Sequence, residues 1–313
     1  MEKLKNFYKN KKILVTGATG FKGAWLCAWL LNLGAKVYAV GYNPNKNKTL
    51  FYSLNLSKKT NLKIFDIRDL KKLDDIVRKS RPQIVFHLAA QPLVIDSYKK
   101  PYLTFDINFR GTLNILEVAK KYKFIKSVIC VTSDKCYENI GKTKGYKEED
   151  KLGGVDPYSA SKAASELVVN SYYKSFFKEK NKCGVSSVRA GNVIGGGDWS
   201  KNRLIPDCIK HLIKKENIIL RNPNYTRPWQ HVLEPLKGYL ILAMRQFEYP
   251  KKYSGAWNFG SNSKSIVSVK KIAELIINFW KIGKIKTISN KFYEQKILQI
   301  NSSKAKNKLG WNP

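Results

Sequence analysis

Acidic residues are scarce in this 313-residue chain: 23 Asp and Glu stand against 58 Lys and Arg, a net charge of +35. The excess is mostly lysine, spread along the whole chain and mixed with asparagine, so it marks no specific nucleic-acid partner. Histidine is rarer still, at three residues, and cysteine has five: Cys27, Cys130, Cys136, Cys183 and Cys208. Their odd number and the lack of CxxC spacing fit neither a disulfide framework nor a zinc cage, so reduced thiols and no metal are expected. Long apolar runs are missing as well. No stretch approaches the roughly 18 residues of a membrane span, and the opening MEKLKNFYKNKK has no apolar core of a secretion signal. The expectation is a cytoplasmic protein with no membrane span.

What is present is a globular composition, 43% hydrophobic, in a chain long enough for one large α/β unit or two smaller domains. The first half alternates short β-branched runs with longer amphipathic segments: KILVT, Phe21 to Leu33, KVYAV, LKIF, Asp69 to Lys79, QIVFHL, Thr104 to Tyr122, and SVICVT. That rhythm predicts an α/β fold, a Rossmann-type doubly wound parallel sheet whose ligand crevice lies at the carboxyl ends of its strands. A helix from Pro157 to about Phe177 and the strand VSSVRA follow, after which Pro, Gly and Asn become frequent. Residues 1–190 are therefore expected to form the dinucleotide-binding domain. Residues 191–313 would form a smaller, mixed substrate-binding domain, interleaved with returns to the first.

Three motifs fall at strand ends. The first strand runs into TGATGFKG, placing Gly17, Gly20 and Gly23 at the turn that opens the next helix, where backbone N–H groups can approach a pyrophosphate. The second strand ends in Gly41, Tyr42 and Asn43 without an acid, so NAD against NADP stays open; Lys46 or Lys48 is placed to meet a 2′-phosphate. Asp66, closing the third strand in FDIRD, suits either the adenine amino group or a turn and helix cap. At the fifth strand's end, VICVTSDKCYEN sets Ser133, Asp134 and Lys135 side by side. They work together only if the strand stops there, because an ongoing strand faces them alternately. In DPYSASK, Asp156 and Pro157 read as a helix cap and first turn, with Tyr158 and Lys162 four apart on one face. An ammonium beside a phenol favours the phenolate and predicts a lowered tyrosine pKa, suited to a sugar hydroxyl.

Through TGATGFKG, HLAAQ, Asn108 in DINFRGT, and YSASK, the sequence resembles the extended short-chain dehydrogenase/reductase family. Over nearly its whole length it is similar to one branch of that family, the CDP-glucose 4,6-dehydratases. The stretches that carry this are GFKGAWL, VTSDKCYEN, LGGVDPYSASK, AGNVIGGGDWSKNRLIPD, TRPWQHVLEPLKGYL, AWNFG and SKAKNKLGW. Lys135 stands where the dTDP-glucose dehydratases place a glutamate.

The resemblance implies NAD as cofactor, a CDP-sugar as substrate and a homo-oligomer, dimer or tetramer. It implies cofactor contacts from Gly17, Gly20, Phe21, Lys22, Gly23, Asp66, Ile67, Leu88, Ala89, Ala90, Asn108, Tyr158 and Lys162. Substrate contacts fall to Asn192, Arg203, Leu204, Arg227, His231 and Asn258. It further implies that Tyr158, with Ser133 and Lys162, deprotonates the C4 hydroxyl; Lys135 takes the C5 proton; and Asp134 protonates the departing C6 hydroxyl. An acid beside an ammonium is a tension that burial or a neutral Lys135 resolves. His87 is expected at the cofactor floor and His211 on a solvated helix face, while Trp199 and Trp229 are either base-pocket or core residues. Two departures stand out: the chain stops at GWNP, where the family continues into further helix, implying a truncated chain or a short natural form, and Asn301 replaces the usual aspartate. The rival readings are a sugar-nucleotide epimerase and a non-catalytic NAD-bound scaffold.

Overall fold

The computed structural model describes residues 1–42, 49–179, 183–261, 265–288 and 298–313. Asn43, Lys46 and Lys48, singled out above, lie outside the described residues. Seven strands form one parallel sheet: β1 (Lys12–Thr16), β2 (Lys36–Gly41), β3 (Asn61–Ile64), β4 (Ile84–His87), β5 (Ser127–Val131), β6 (Gly184–Ala190) and β7 (Gly255–Phe259). The order across the sheet is β7-β6-β5-β4-β1-β2-β3, so the winding reverses between β1 and β4, where Thr16 pairs with His87. A reversal of this kind opens a crevice at the carboxyl ends of the two strands.

Strand residues alternate between two apolar cores, which is why the strands read as unbroken apolar runs. Ile13, Val15, Phe86, Ile129 and Val188 point to one face, packed by helices α1 (Glu2–Tyr8), α2 (Phe21–Asn32) and α7 (Leu233–Glu248). Leu14, Val85, Val128 and Val185 point to the other, packed by α3 (Leu70–Ser80), α4 (Gly111–Lys121) and α5 (Pro157–Tyr172). Helix starts follow the sequence: Asp69 accepts from Lys72 N at 3.0 Å to cap α3, and Asp156 accepts from Ser159 N at 2.9 Å, ahead of Pro157, to cap α5. A π turn, Asp106–Arg110, runs directly into α4, and another, Tyr173–Phe177, extends α5.

A smaller core gathers Cys208 and Leu212 of α6 (Leu204–Ile213), Ile218, Leu220, and Ala273 of α8 (Val269–Trp280). A clean cut at residue 190 does not describe the chain. Helix α7 and strand β7 return to the main sheet, and Ala305, Leu309 and Trp311 pack into its first core. All five cysteines are buried free thiols. Among the described residues, no helix is long and apolar enough to cross a membrane, and no cluster of His, Cys, Asp and Glu could hold a metal ion.

Candidate active site

The glycine turn closes the crevice on the side of β1. Gly17 has φ +69°, and a Cβ there would lie 2.6 Å from Ala89 N, so the turn presses backbone to backbone on the segment Leu88 to Ala90 that follows β4. At Gly23 a Cβ would sit 2.1 Å from Gly17 O. Helix α2 begins at Gly20 with no side-chain cap, which leaves its first amides, from Phe21 and Lys22 onward, without a side-chain acceptor. Uncapped amides behind a glycine cradle suit a pyrophosphate. Beneath them His87 is buried, its Nδ1 2.8 Å from Thr16 Oγ1 and its Nε2 3.4 Å from Thr112 Oγ1. Burial, assisted by Lys162, lowers its pKa to about 3, so the ring is neutral.

Three residues expected at the cofactor also hold the fold together. Asp66 accepts from Arg68 N, Nε and Nη2 at 2.9, 3.0 and 2.6 Å, which holds its carboxyl below the usual range, and Arg68 also reaches Asp106 at 2.6 Å. Ile67 is core, lying where a Cβ on Gly111 would touch it at 2.9 Å. Asn108 is 1% exposed: Oδ1 accepts from Gln91 N at 2.8 Å and Nδ2 donates to Ser161 Oγ at 2.8 Å, so it ties the loop after β4 to α5.

At β5 the strand stops after Val131, and a 3₁₀ turn, Asp134–Cys136, presents the three adjacent residues together. Ser133 Oγ accepts from Lys135 N at 3.2 Å and donates to Asp134 Oδ1 at 3.1 Å. Asp134 is 3% exposed and its Oδ2 has no partner. Burial raises its pKa, outweighing the nearby Lys135, so desolvation favours the protonated acid. Tyr158 and Lys162 both lie buried on one face of α5, with Lys162 Nζ donating to Val131 O at 3.2 Å. The lowered tyrosine pKa expected from their spacing is overturned. Burial pushes Tyr158 up to about 12, against the pull of Ser133, while burial and Lys22 bring Lys162 down to about 8.

Above this turn opens a cavity of about 520 Å³, lined by Lys22, Ser133, Asp134, Lys135 and Tyr158 on one wall and by Asn192, Arg203, Leu204, Arg227, Trp199 and Trp229 on the other. Arg203 pairs with Asp198 at 3.0 Å, and Arg227 is 5% exposed. Two expected substrate contacts fall outside this lining. His231 is exposed, 5.8 Å from the Trp25 ring. Asn258 is fully buried, with Oδ1 accepting from Tyr137 OH at 2.8 Å and Nδ2 donating to Tyr146 O at 2.8 Å and Asn301 O at 3.1 Å, so its amide serves the fold. His211 is half-buried, with Nδ1 2.8 Å from Asp207 O.

Residues 14–313 match the model of the family described as GDP-mannose 4,6 dehydratase. The chain belongs to that family. The CDP-glucose 4,6-dehydratase of Salmonella typhimurium is 43% identical over 99% of this chain and 88% of its own length. The dTDP-glucose 4,6-dehydratase DesIV of Streptomyces venezuelae, solved with NAD bound, superposes with a TM-score of 0.84 at 20% identity, covering 96% of this chain and 91% of that one. An epimerase from Methanothermobacter thermautotrophicus gives 0.86 at 23%, covering 100% and 90%. The two structures share the family fold with this chain.

For a member of this family three features were not read from the sequence. Lys22 was assigned to the cofactor alone, yet it also lines the cavity, where burial and Arg203 bring its pKa down to about 8. Arg221 joins the same lining from the loop after Leu220. Neither carries a local signal, since lysine and arginine recur throughout so basic a chain. The buried pair Glu166 and Arg189 was also passed over. Its signal was present: an arginine inside the otherwise small and apolar strand VSSVRA, and a glutamate one turn beyond Lys162.

Proposed function

We propose that the chain is an NAD-dependent 4,6-dehydratase of a nucleotide-activated hexose, with CDP-glucose as substrate and a CDP-linked 4-keto-6-deoxyglucose as product. One observation carries the reading: a buried carboxyl with one unpartnered oxygen (Asp134) and a lysine (Lys135) share one turn beside the phenol of Tyr158 on a single cavity. An epimerase needs the phenol but has no use for an adjacent acid and base. The 43% identity to a CDP-glucose 4,6-dehydratase supports the same reaction and nucleotide.

The glycine cradle and open amides of α2 fit a dinucleotide pyrophosphate. NAD bound there supplies a temporary hydride acceptor, so the overall reaction is loss of water with no net oxidation. Tyr158 accepts the proton of the C4 hydroxyl, and Ser133 beside it favours the phenolate form that does so. Tyr158 can take that proton only as the phenolate, so its own proton leaves to solvent first and the C4 proton replaces it as C4 is oxidised. The C4 ketone acidifies C5, and Lys135, as the free amine, removes that proton. Asp134, whose protonated form burial favours, gives its proton to the departing C6 hydroxyl. Arg203 and Arg227 face the cavity from the opposite wall, where planar guanidinium groups bind diphosphate oxygens.

The deciding experiment incubates the purified protein and NAD with CDP-, dTDP-, UDP- and GDP-glucose. CDP-glucose should lose one water faster than the others; preference for another nucleotide would overturn the substrate, and an epimer of unchanged mass would overturn the reaction.

A further inference from the structure

Of the ion pairs among the described residues, Glu166 with Arg189 is the one sealed from solvent on both sides, at 2% and 3% exposure and 2.7 Å. Removing two charges from water is costly and is compensated by the hydrogen bonds the pair makes; Arg189 Nη1 donates to Glu148 O at 3.1 Å, while its Nε has no partner among the described residues. Where those bonds go is informative. Glu166 Oε1 accepts a short hydrogen bond from Thr132 Oγ1, the residue immediately before Ser133. Glu166 Oε2 accepts from Ser187 Oγ at 2.6 Å, on the neighbouring strand β6. Arg189 Nη1 donates to Tyr137 OH at 2.6 Å, the residue immediately after the turn Asp134–Cys136, and the guanidinium lies 4.7 Å from that ring. Tyr137 OH in turn donates to Asn258.

We infer that Glu166 and Arg189 are positioning residues: one buried ion pair grips both flanks of the turn that carries Ser133, Asp134 and Lys135 and sets it against Tyr158 and Lys162. Glu166 follows Lys162 by four residues and Tyr158 by eight, on the same face of α5. The helix that carries the phenol therefore also anchors the acid and base, through Thr132 on one side and through Arg189 and Tyr137 on the other. The pair touches neither substrate nor cofactor and acts only through this turn. Because an acid and a base must reach adjacent carbons of one sugar, a shift of about 1 Å in the turn is enough to cost on the order of 10²-fold. This inference rests on the roles assigned to Asp134 and Lys135 under the proposed function.

Direct removal of Glu166 strands a buried guanidinium and threatens folding, so the test uses the arms of the clamp. Thr132→Val and Tyr137→Phe each delete one hydroxyl and keep volume. In the double variant, hydrogen exchange of the Lys135 and Cys136 amides should quicken while that of α5 stays as in the parent; unchanged exchange in the turn overturns the clamp. In single turnover with NAD and CDP-glucose, water loss, which needs both Asp134 and Lys135, should slow roughly 10- to 100-fold, and by more than formation of reduced nicotinamide, to which the turn contributes only Ser133. Equal slowing of both steps, or parental water loss, overturns the positioning role. If the parent protein leaves CDP-glucose untouched while exchange quickens as expected, the clamp stands and the functional reading falls.

Discussion

Asp134→Asn separates folding from chemistry. The carboxyl is 3% exposed, bonded to Ser133 at 3.1 Å through Oδ1, and unpartnered at Oδ2. Burial raises its pKa above the unfolded value. The native state therefore holds a proton that the unfolded chain releases, and this group's contribution to stability falls as pH rises from the ordinary carboxyl range through its raised pKa. Each pKa unit corresponds to about 1.4 kcal/mol. The amide is nearly isosteric, stays neutral and keeps the Ser133 contact, so it removes that loss. The variant should melt higher than the parent at neutral pH, by roughly 2 °C per kcal/mol in a chain of this size, and the gap should close below the ordinary carboxyl pKa. Water loss should drop by about 10²- to 10⁴-fold, the usual cost of losing a general acid, while oxidation at C4 proceeds. The assays are melting curves across pH and single-turnover absorbance of reduced nicotinamide beside product mass. A variant less stable at neutral pH, or one that still dehydrates at the parental rate, would refute the reasoning.

Three other outcomes are expected. Tyr158→Phe should abolish formation of reduced nicotinamide from CDP-glucose, by about 10²-fold or more, with folding retained by circular dichroism; undiminished reduction removes the phenol from the first step. Lys135→Ala should let reduced nicotinamide accumulate while exchange of C5 hydrogen with heavy water slows, and normal product formation would show the lysine to be a bystander. Gly23→Ala places a Cβ 2.1 Å from Gly17 O, so bound NAD should be lost on gel filtration while the far-ultraviolet spectrum stays native; retained NAD contradicts the cradle.

The parallel sheet was legible because its strands are buried on both faces and read as apolar runs, and the turn at Ser133 because a working trio requires the strand to stop. Asp156 and Pro157 announced the start of α5 through local capping chemistry alone. Returns of the second part to the first were expected, but not which elements make them, since LEPLKGYLILAM reads equally well as a helix of either domain and only long-range packing decides. Asn258 looked like a ligand by its motif, yet its amide is consumed by Tyr137, Tyr146 and Asn301. The pKa of Tyr158 was misjudged because the spacing of tyrosine and lysine reveals proximity and not desolvation, which dominates here. Asn301, unexplained in the sequence, accepts from Ser303 N at 2.9 Å through Oδ1 and from Asn258 through its carbonyl, a helix-entry role that an aspartate would also fill.

The closed hydride cycle is the centre of the account, and CDP-glucose deuterated at C4 tests it most directly. Incubated with the protein and NAD, it should give a product lighter by one water that retains the deuterium at C6, read by mass and NMR. Deuterium washed into solvent, deuterium held in free reduced nicotinamide, or an isomer of unchanged mass would contradict it.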